Sequence, residues 1–389
     1  MAATSPAVKG VADELWNHGA RRVYVYVSLR GREYAAAAGS GPPRTRDDRV
    51  RIGDVSETFA AAIVLQLAEE GKLRLYDSLA KYVRGVDRLE RGITLLQLLS
   101  NTSGLADYYT FGFWLQRANR LNTVRPVDLL KAAAFQPRGF KRPGSSFSYS
   151  HTNYIALGLV VEKVTGHPYN EELMRRIVRP LGLSGTELAS TPIRIPGRDR
   201  GPGINPNLFW AASGIVSTAD DLAKFYSALL SGRLVSRASL NKMERTVQDP
   251  AGPERYGLGL LAFDLSCGSF WGQTGSFWGQ AGGILGYGAT VTASADGSRI
   301  AVVLTRGPSD RNPDMSTLLC RLDSATRLAD VPALPLPGQL VEALEVAPPK
   351  SPLSTSATSR PCALAASAMP APTMPPPITS RSNRFDESR

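Results

Sequence analysis

Apolar residues recur at helical spacing from Val8 to Gly19 and then give way to strict alternation in Arg22-Val-Tyr-Val-Tyr-Val-Ser28. That change of period predicts a helix followed by a strand. Arg30-Gly31-Arg32 reads as a turn into a second strand from about Glu33 to Ala38, an antiparallel hairpin. From Val55 to Glu70 the chain is helical and strongly apolar, with Gly71 placed as a C-cap. Helical stretches follow at 94–100, 126–135, 152–166, 169–179 and 218–231. The last third returns to strands at Leu258 to Asp264, Ser269 to Trp271, Gly286 to Ala293 and Arg299 to Arg306. Strands at both ends with helices between predict one sheet closed by the two ends of the chain, with a helical domain inserted. The expected sheet part is about 8–60 plus 250–330, and the helical part about 61–249. Phe270-Trp-Gly-Gln-Thr-Gly-Ser276 is followed at once by Phe277-Trp-Gly-Gln-Ala-Gly-Gly283. Two copies are too few for a repeat architecture, so a glycine-rich strand end and its turn are expected there.

From about Val331 the pattern disappears. Twelve of the 28 prolines fall in 331–389, among many Ser, Ala and Thr, which predicts a disordered tail after a folded unit of about 1–330. With 43% hydrophobic residues in 389, that unit can bury a large core. Three widely spaced cysteines, Cys267, Cys320 and Cys362, give neither a disulfide framework nor zinc spacing. The first thirty residues carry Asp13, Glu14, Arg21 and Arg22 and no apolar core of a signal peptide, and no apolar run approaches the roughly 20 residues of a membrane span. A soluble cytoplasmic protein is expected. The net charge of +11 is scattered among acidic neighbours. It predicts a basic surface that attracts small anions, not a nucleic-acid binder, which would gather the charge on one face.

Five blocks then stand in order: VRIGDVSETFAAAIVLQLAEEGKLRLYDSLAKYV (50–83), ITLLQLLSNTSGLADY (93–108), PGSSFSYSHTNYIALGLVVEKVTG (143–166), RPLGLSGT (179–186) and WGQTG (271–275). Together they resemble the serine β-lactamase-related family of class C β-lactamases, DD-peptidases and related esterases, over roughly residues 10–310. The resemblance implies an α/β (α+β) fold of β-lactamase/transpeptidase type. It has a five-stranded antiparallel sheet flanked by helices, an inserted helical domain and an active site between the two. No cofactor and no metal are implied, and nothing is implied about oligomeric state.

The family uses Ser-x-x-Lys at the start of a buried helix, where residues three apart share one face and the amine activates the hydroxyl. In this chain those positions hold Asp54 and Glu57. The Tyr-x-Asn motif is Tyr149-Ser150-His151, the His/Lys-Thr-Gly motif is Gln273-Thr274-Gly275, and the His-Thr-Ser-Gly-Leu block begins with Asn101. Ser56 is no substitute nucleophile, because it lies about 200° around the helix from residue 54 and has Phe59, not Lys, three residues on. Three expectations follow for the altered pair. Asp54 and Glu57 form a helix capping box in a protein that only binds; or they are an acid–base pair, one carboxylate held protonated by its neighbour; or Asp54 is a carboxylate nucleophile.

The favoured expectation is non-hydrolytic acid–base chemistry of lyase, cyclase, isomerase or dehydratase type on a moderately apolar small molecule. Asp54, Glu57, Tyr149 and His151 are the catalytic candidates. Gln273, Thr274, Gly275, Ser276, Asn101, Tyr108, Trp210 and Trp271 are the substrate-binding candidates. The backbone N–H groups of residue 54 and near Ser276 remain available for an oxyanion or enolate oxygen. Tyr109, Phe111, Phe113 and Trp114 read, with Tyr108, equally as pocket wall or as core, and His18 and His167 read as ordinary surface histidines.

Overall fold

Alternation in the first strand meets two different partners, one on each face. In the computed structural model, helix α1 (Pro6–Asn17) lays Val8, Val11, Ala12 and Leu15 against Val23, Val25 and Val27 of strand β1 (Arg22–Leu29). The intervening Tyr24 and Tyr26 point into the main core. The structure describes residues 2–29, 31–41, 45–85, 92–111, 124–137, 139–140, 142–190, 204–248, 250, 255–265, 268–277 and 286–306; for 110–111 and 263–277 it describes the backbone only. The three cysteines and the proline-rich stretch lie outside the described residues.

Strand β2 (Arg32–Gly39) pairs antiparallel with β1, Leu29 opposite Arg32 and Arg22 opposite Gly39, as the hairpin expectation requires. Gly39 sits at φ +132°, and a Cβ there would lie 2.3 Å from the Arg21 carbonyl oxygen, so only glycine fits. Short strands β3 (Val50–Arg51), β4 (Glu187–Leu188) and β5 (Ile215–Ser217) make a small three-stranded sheet. The large sheet is completed by β6 (Val247–Gln248), β7 (Arg255–Tyr256), β8 (Leu261–Leu265), β9 (Gly268–Phe277), β10 (Tyr287–Ser294) and β11 (Arg299–Arg306), in the order β2-β1-β11-β10-β9-β8-β7-β6. Antiparallel pairing of β1 with β11 closes the sheet from its two ends.

Two strand expectations are corrected. Among the described residues the sheet has eight strands, not five: β2, β1, β11, β10 and β9 are eight or ten residues long, and the shorter β8, β7 and β6 extend one edge. The expected strand from Ser269 to Trp271 also runs on, continuous over 268–277, while the rest of the second copy, 278–283, lies outside the described residues. The strand's pairing with β8 and β10 on both sides overrides a weak intrinsic preference.

Between the sheet segments run α2 (Val55–Glu69), α3 (Leu95–Leu99), α4 (Pro126–Ala134), α5 (His151–Thr165), α6 (Tyr169–Leu173), α7 (Arg179–Leu181), α8 (Trp210–Ser213), α9 (Ala219–Leu230) and α10 (Arg237–Met243). Helix α2 is buried on every side from Val55 to Leu65, with Phe59 stacked on Phe225 of α9 at 3.7 Å between ring centroids. Its C-terminal end is held by the Gly71 N–H on the Ala68 carbonyl, with Gly71 left-handed at φ +69° as expected. The start of α2 faces the start of α5. Among the described residues no helix is long and apolar enough to cross a membrane.

Candidate active site

Asp54 is the N-cap residue of α2, but its side chain makes no capping bond, so the expected capping box does not form. Asp54 Oδ1 instead accepts from Ser213 Oγ at 2.6 Å and faces His151 Nε2 at 3.1 Å. His151 is the first residue of α5, and its other nitrogen, Nδ1, lies 2.7 Å from Asp107 Oδ2. The imidazole therefore sits between two carboxylates, with its side chain 14% exposed. Burial pulls the His151 pKa down, yet the charges of Asp107 and Asp54 outweigh it and hold the ring well above its ordinary 6.5. Burial pushes Asp107 up, but the His151 charge wins and keeps its carboxyl below the ordinary value. In its charged form the ring donates to both acids.

Local bonds hold this array in place. Thr152 Oγ1 donates to the Ala106 carbonyl and accepts from the Tyr108 N–H, which pins the 106–108 loop to the first turn of α5. Asp107 Oδ1 accepts from the Tyr109 N–H at 3.0 Å, an Asx turn that leaves Oδ2 for the ring. The Tyr109 ring lies 5.2 Å from the His151 ring and packs on Phe209.

Glu57, three residues into the same helix, is fully buried. Tyr149 Oη donates to its Oε1 at 2.8 Å, and Tyr256 Oη donates to its Oε2 at 2.7 Å. Burial first and the Asp54 charge second raise Glu57 well above the ordinary carboxylate range, against the opposing pull of His151 and the two hydroxyls. Tyr256 Oη is also 2.9 Å from Tyr154 Oη, and Tyr154 Oη donates to the Leu99 carbonyl at 2.9 Å, so the phenols tie the Glu57 carboxyl to the end of α3. The site thus sets a buried carboxyl biased towards its protonated form and a histidine biased towards its charged form beside Asp54, whose side chain is 20% exposed.

The four catalytic candidates come together; the substrate-binding candidates divide. Tyr108 is 1% exposed, its hydroxyl bound to the Leu208 carbonyl, so it is core and its neighbour Tyr109 takes the place beside His151. Trp210 packs on Tyr169 at 5.4 Å and over Gly158, away from the carboxylates, and it is Ser213 of the same helix that reaches Asp54. Asn101 is wholly buried, and its Oδ1 accepts from the Ser150 N–H at 3.2 Å, so it orients the start of α5 and does not face a substrate. Trp271, Gln273, Thr274, Gly275 and Ser276 lie along β9, Thr274 opposite Thr290 and Gly275 opposite Ala289; their side chains are outside the described residues. Asp107, Ser213, Tyr154 and Tyr256 were not anticipated. Ser56 is buried and accepts from the Ile215 N–H at 3.2 Å. Both His151 nitrogens are engaged, and among the described residues no group of three His, Cys, Asp or Glu is placed to hold a metal ion.

A sheet closed by both chain ends, with the paired helix starts of α2 and α5 beside it, matches the beta-lactamase family model over residues 8–319. The chain belongs to the beta-lactamase family. A D-stereospecific amidohydrolase from Streptomyces sp. is 31% identical, with a TM-score of 0.68 over 77% of this chain and 93% of that one. The D-amino acid amidase from Ochrobactrum anthropi SV3, in its complex with L-phenylalanine, shares the fold at a TM-score of 0.71 and 20% identity, over 83% of this chain and 98% of that one. Protein flp of Staphylococcus aureus (strain COL) is 30% identical over 148 residues, 37% of this chain. The chain spans 28% of that relative and 52% of PbpX of Bacillus subtilis (strain 168), about half or less of each.

Proposed function

We propose that this beta-lactamase family member has given up serine acyl chemistry for acid–base catalysis centred on His151, acting on a moderately apolar small molecule. The supporting observation is the Asp54–His151–Asp107 array, with the fully buried Glu57 behind Tyr149. Asp54 is the base: its carboxylate takes a proton from a carbon next to a carbonyl. The imidazolium is the acid: it gives a proton to a departing hydroxyl, or returns one at a second carbon. The proton on Asp54 then passes to the neutral ring, and the starting state is restored. Tyr149, its phenol kept protonated first by burial and then by the nearby Asp54 charge, turns its one hydrogen from Glu57 Oε1 to the enolate oxygen and stabilises it. Tyr109 supplies an aromatic wall. Dehydration, isomerisation and ring closure all use this cycle.

A second reading draws on the 31% identity to an amidohydrolase: hydrolysis in which Asp54 is the nucleophile and a covalent adduct forms at that residue. Both readings exclude a serine nucleophile. Fluorophosphonate probes are expected to leave the protein unlabelled, and nitrocefin and p-nitrophenyl esters to turn over no faster than with Asp54→Ala/Glu57→Ala. Labelling mapped by mass spectrometry to Ser56, or to another serine of the cleft, contradicts the proposal.

A further inference from the structure

A cavity of about 750 Å³ lies away from the candidate site, where the C-terminal end of α2 meets α3, the 144–146 turn and the segment after α10. Ala68 lines it and Asp54 does not, and fourteen residues at 1.5 Å of rise separate the two by about 20 Å along α2. Leu73, Leu75, Leu96 and Leu258 form its apolar wall. Arg74, Lys242 and Arg245 also line it, all three exposed, and no carboxylate does so among the described residues. Of the acids close by in sequence, Glu69 accepts from the Ser236 N–H and faces the charge of Lys242, and Asp77 accepts from the Arg74 N–H and is bonded to Lys81 and Tyr82. Glu244 stands between Lys242 and Arg245 in the sequence without lining the cavity.

We propose that this cavity binds an amphipathic anion, an apolar chain or ring carrying a carboxylate or phosphate head. Its volume is that of a small-molecule site. Apolar residues inside with cations at the edge match a molecule whose tail leaves water while its head stays wet. A neutral ligand gains nothing from the three cations, and a cationic one is repelled by them. The lining also includes Ser100 and Thr102, which flank the buried Asn101, so an occupant touches the segment that orients the start of α5.

Calorimetric titration of the whole protein, below micelle concentrations, with decanoate, decyl phosphate, decanol and decyltrimethylammonium tests this. An exposed cation contributes little alone, but three together are expected to favour an anion over the alcohol by about tenfold. Preference for either anion sustains the proposal, and the ratio between the two assigns the head group. Arg74→Glu/Lys242→Glu/Arg245→Glu is expected to abolish that preference while leaving decanol binding and the melting temperature unchanged. If the triple variant folds poorly, Arg245→Glu alone is expected to weaken anion binding in the same direction. Equal binding of all four compounds, anion binding that survives charge reversal, or no binding at all overturns it.

Discussion

Asp107→Ala is expected to destabilise the protein by about 3 kcal/mol, the low end of the roughly 3–5 kcal/mol found when one partner of a buried ion pair is removed. The low end applies because Asp54 still faces the ring, and because His151 can shed its proton and avoid being buried as an unpaired charge. The deficit should depend on pH with a defined sign. His151 is raised above 6.5 in the folded state, so its contribution is complete below 6.5 and is lost as pH rises through the folded value. Asp107 is lowered below 3.8, so its contribution is complete above 3.8 and is lost as pH falls through the folded value. The wild-type advantage is therefore largest between 3.8 and 6.5 and shrinks on both sides. Urea unfolding of both proteins inside that range and well beyond each end of it measures it; a deficit that stays constant outside the range as well would show that Asp107 matters only for packing.

Phe59→Ala is expected to cost more, about 3–5 kcal/mol. Phe59 is wholly buried and stacked on Phe225 with the rings 7° apart, and its neighbours Ala60, Ala61 and Ala62 have no length with which to fill the space. Helix α2 cannot settle into the gap without breaking Thr58 Oγ1 from the Gly259 carbonyl and Glu57 from its tyrosines. Phe135→Ala is the control: that ring is 74% exposed and should change stability by no more than about 0.5 kcal/mol. A loss for Phe59→Ala near the control's would mean that α2 is not the rigid support of the site.

The alternation of β1, the apolar run of α2 and the end-to-end closure of the sheet were legible because each is a period along the chain. Strand β9 was not, since its glycines carry no side-chain pattern and its length comes from pairing with β8 and β10. The four catalytic candidates could be read from spacing within motifs. Their partners could not: Asp107 stands 44 positions from His151, Ser213 stands 159 from Asp54, and Tyr256 stands 199 from Glu57. Only folding brings them within hydrogen-bond reach. Tyr108 and Tyr109 illustrate the same limit, because adjacent residues in a loop have no period to tell inside from outside. Asp54 and Glu57 fit a capping box in sequence; the tyrosines facing Glu57 from other elements draw its carboxyl inward instead.

The central claim is a protonated Glu57 beside a charged His151. Carbon-13 NMR of the Glu57 carboxyl, with nitrogen-15 NMR of the His151 ring, across pH 3–9 tests it directly. The account predicts that at pH 7 the Glu57 resonance still reports a carboxylic acid and the ring still reports an imidazolium. Titration of Glu57 near 4.5 together with His151 near 6.5, the ordinary values of both groups, would contradict it.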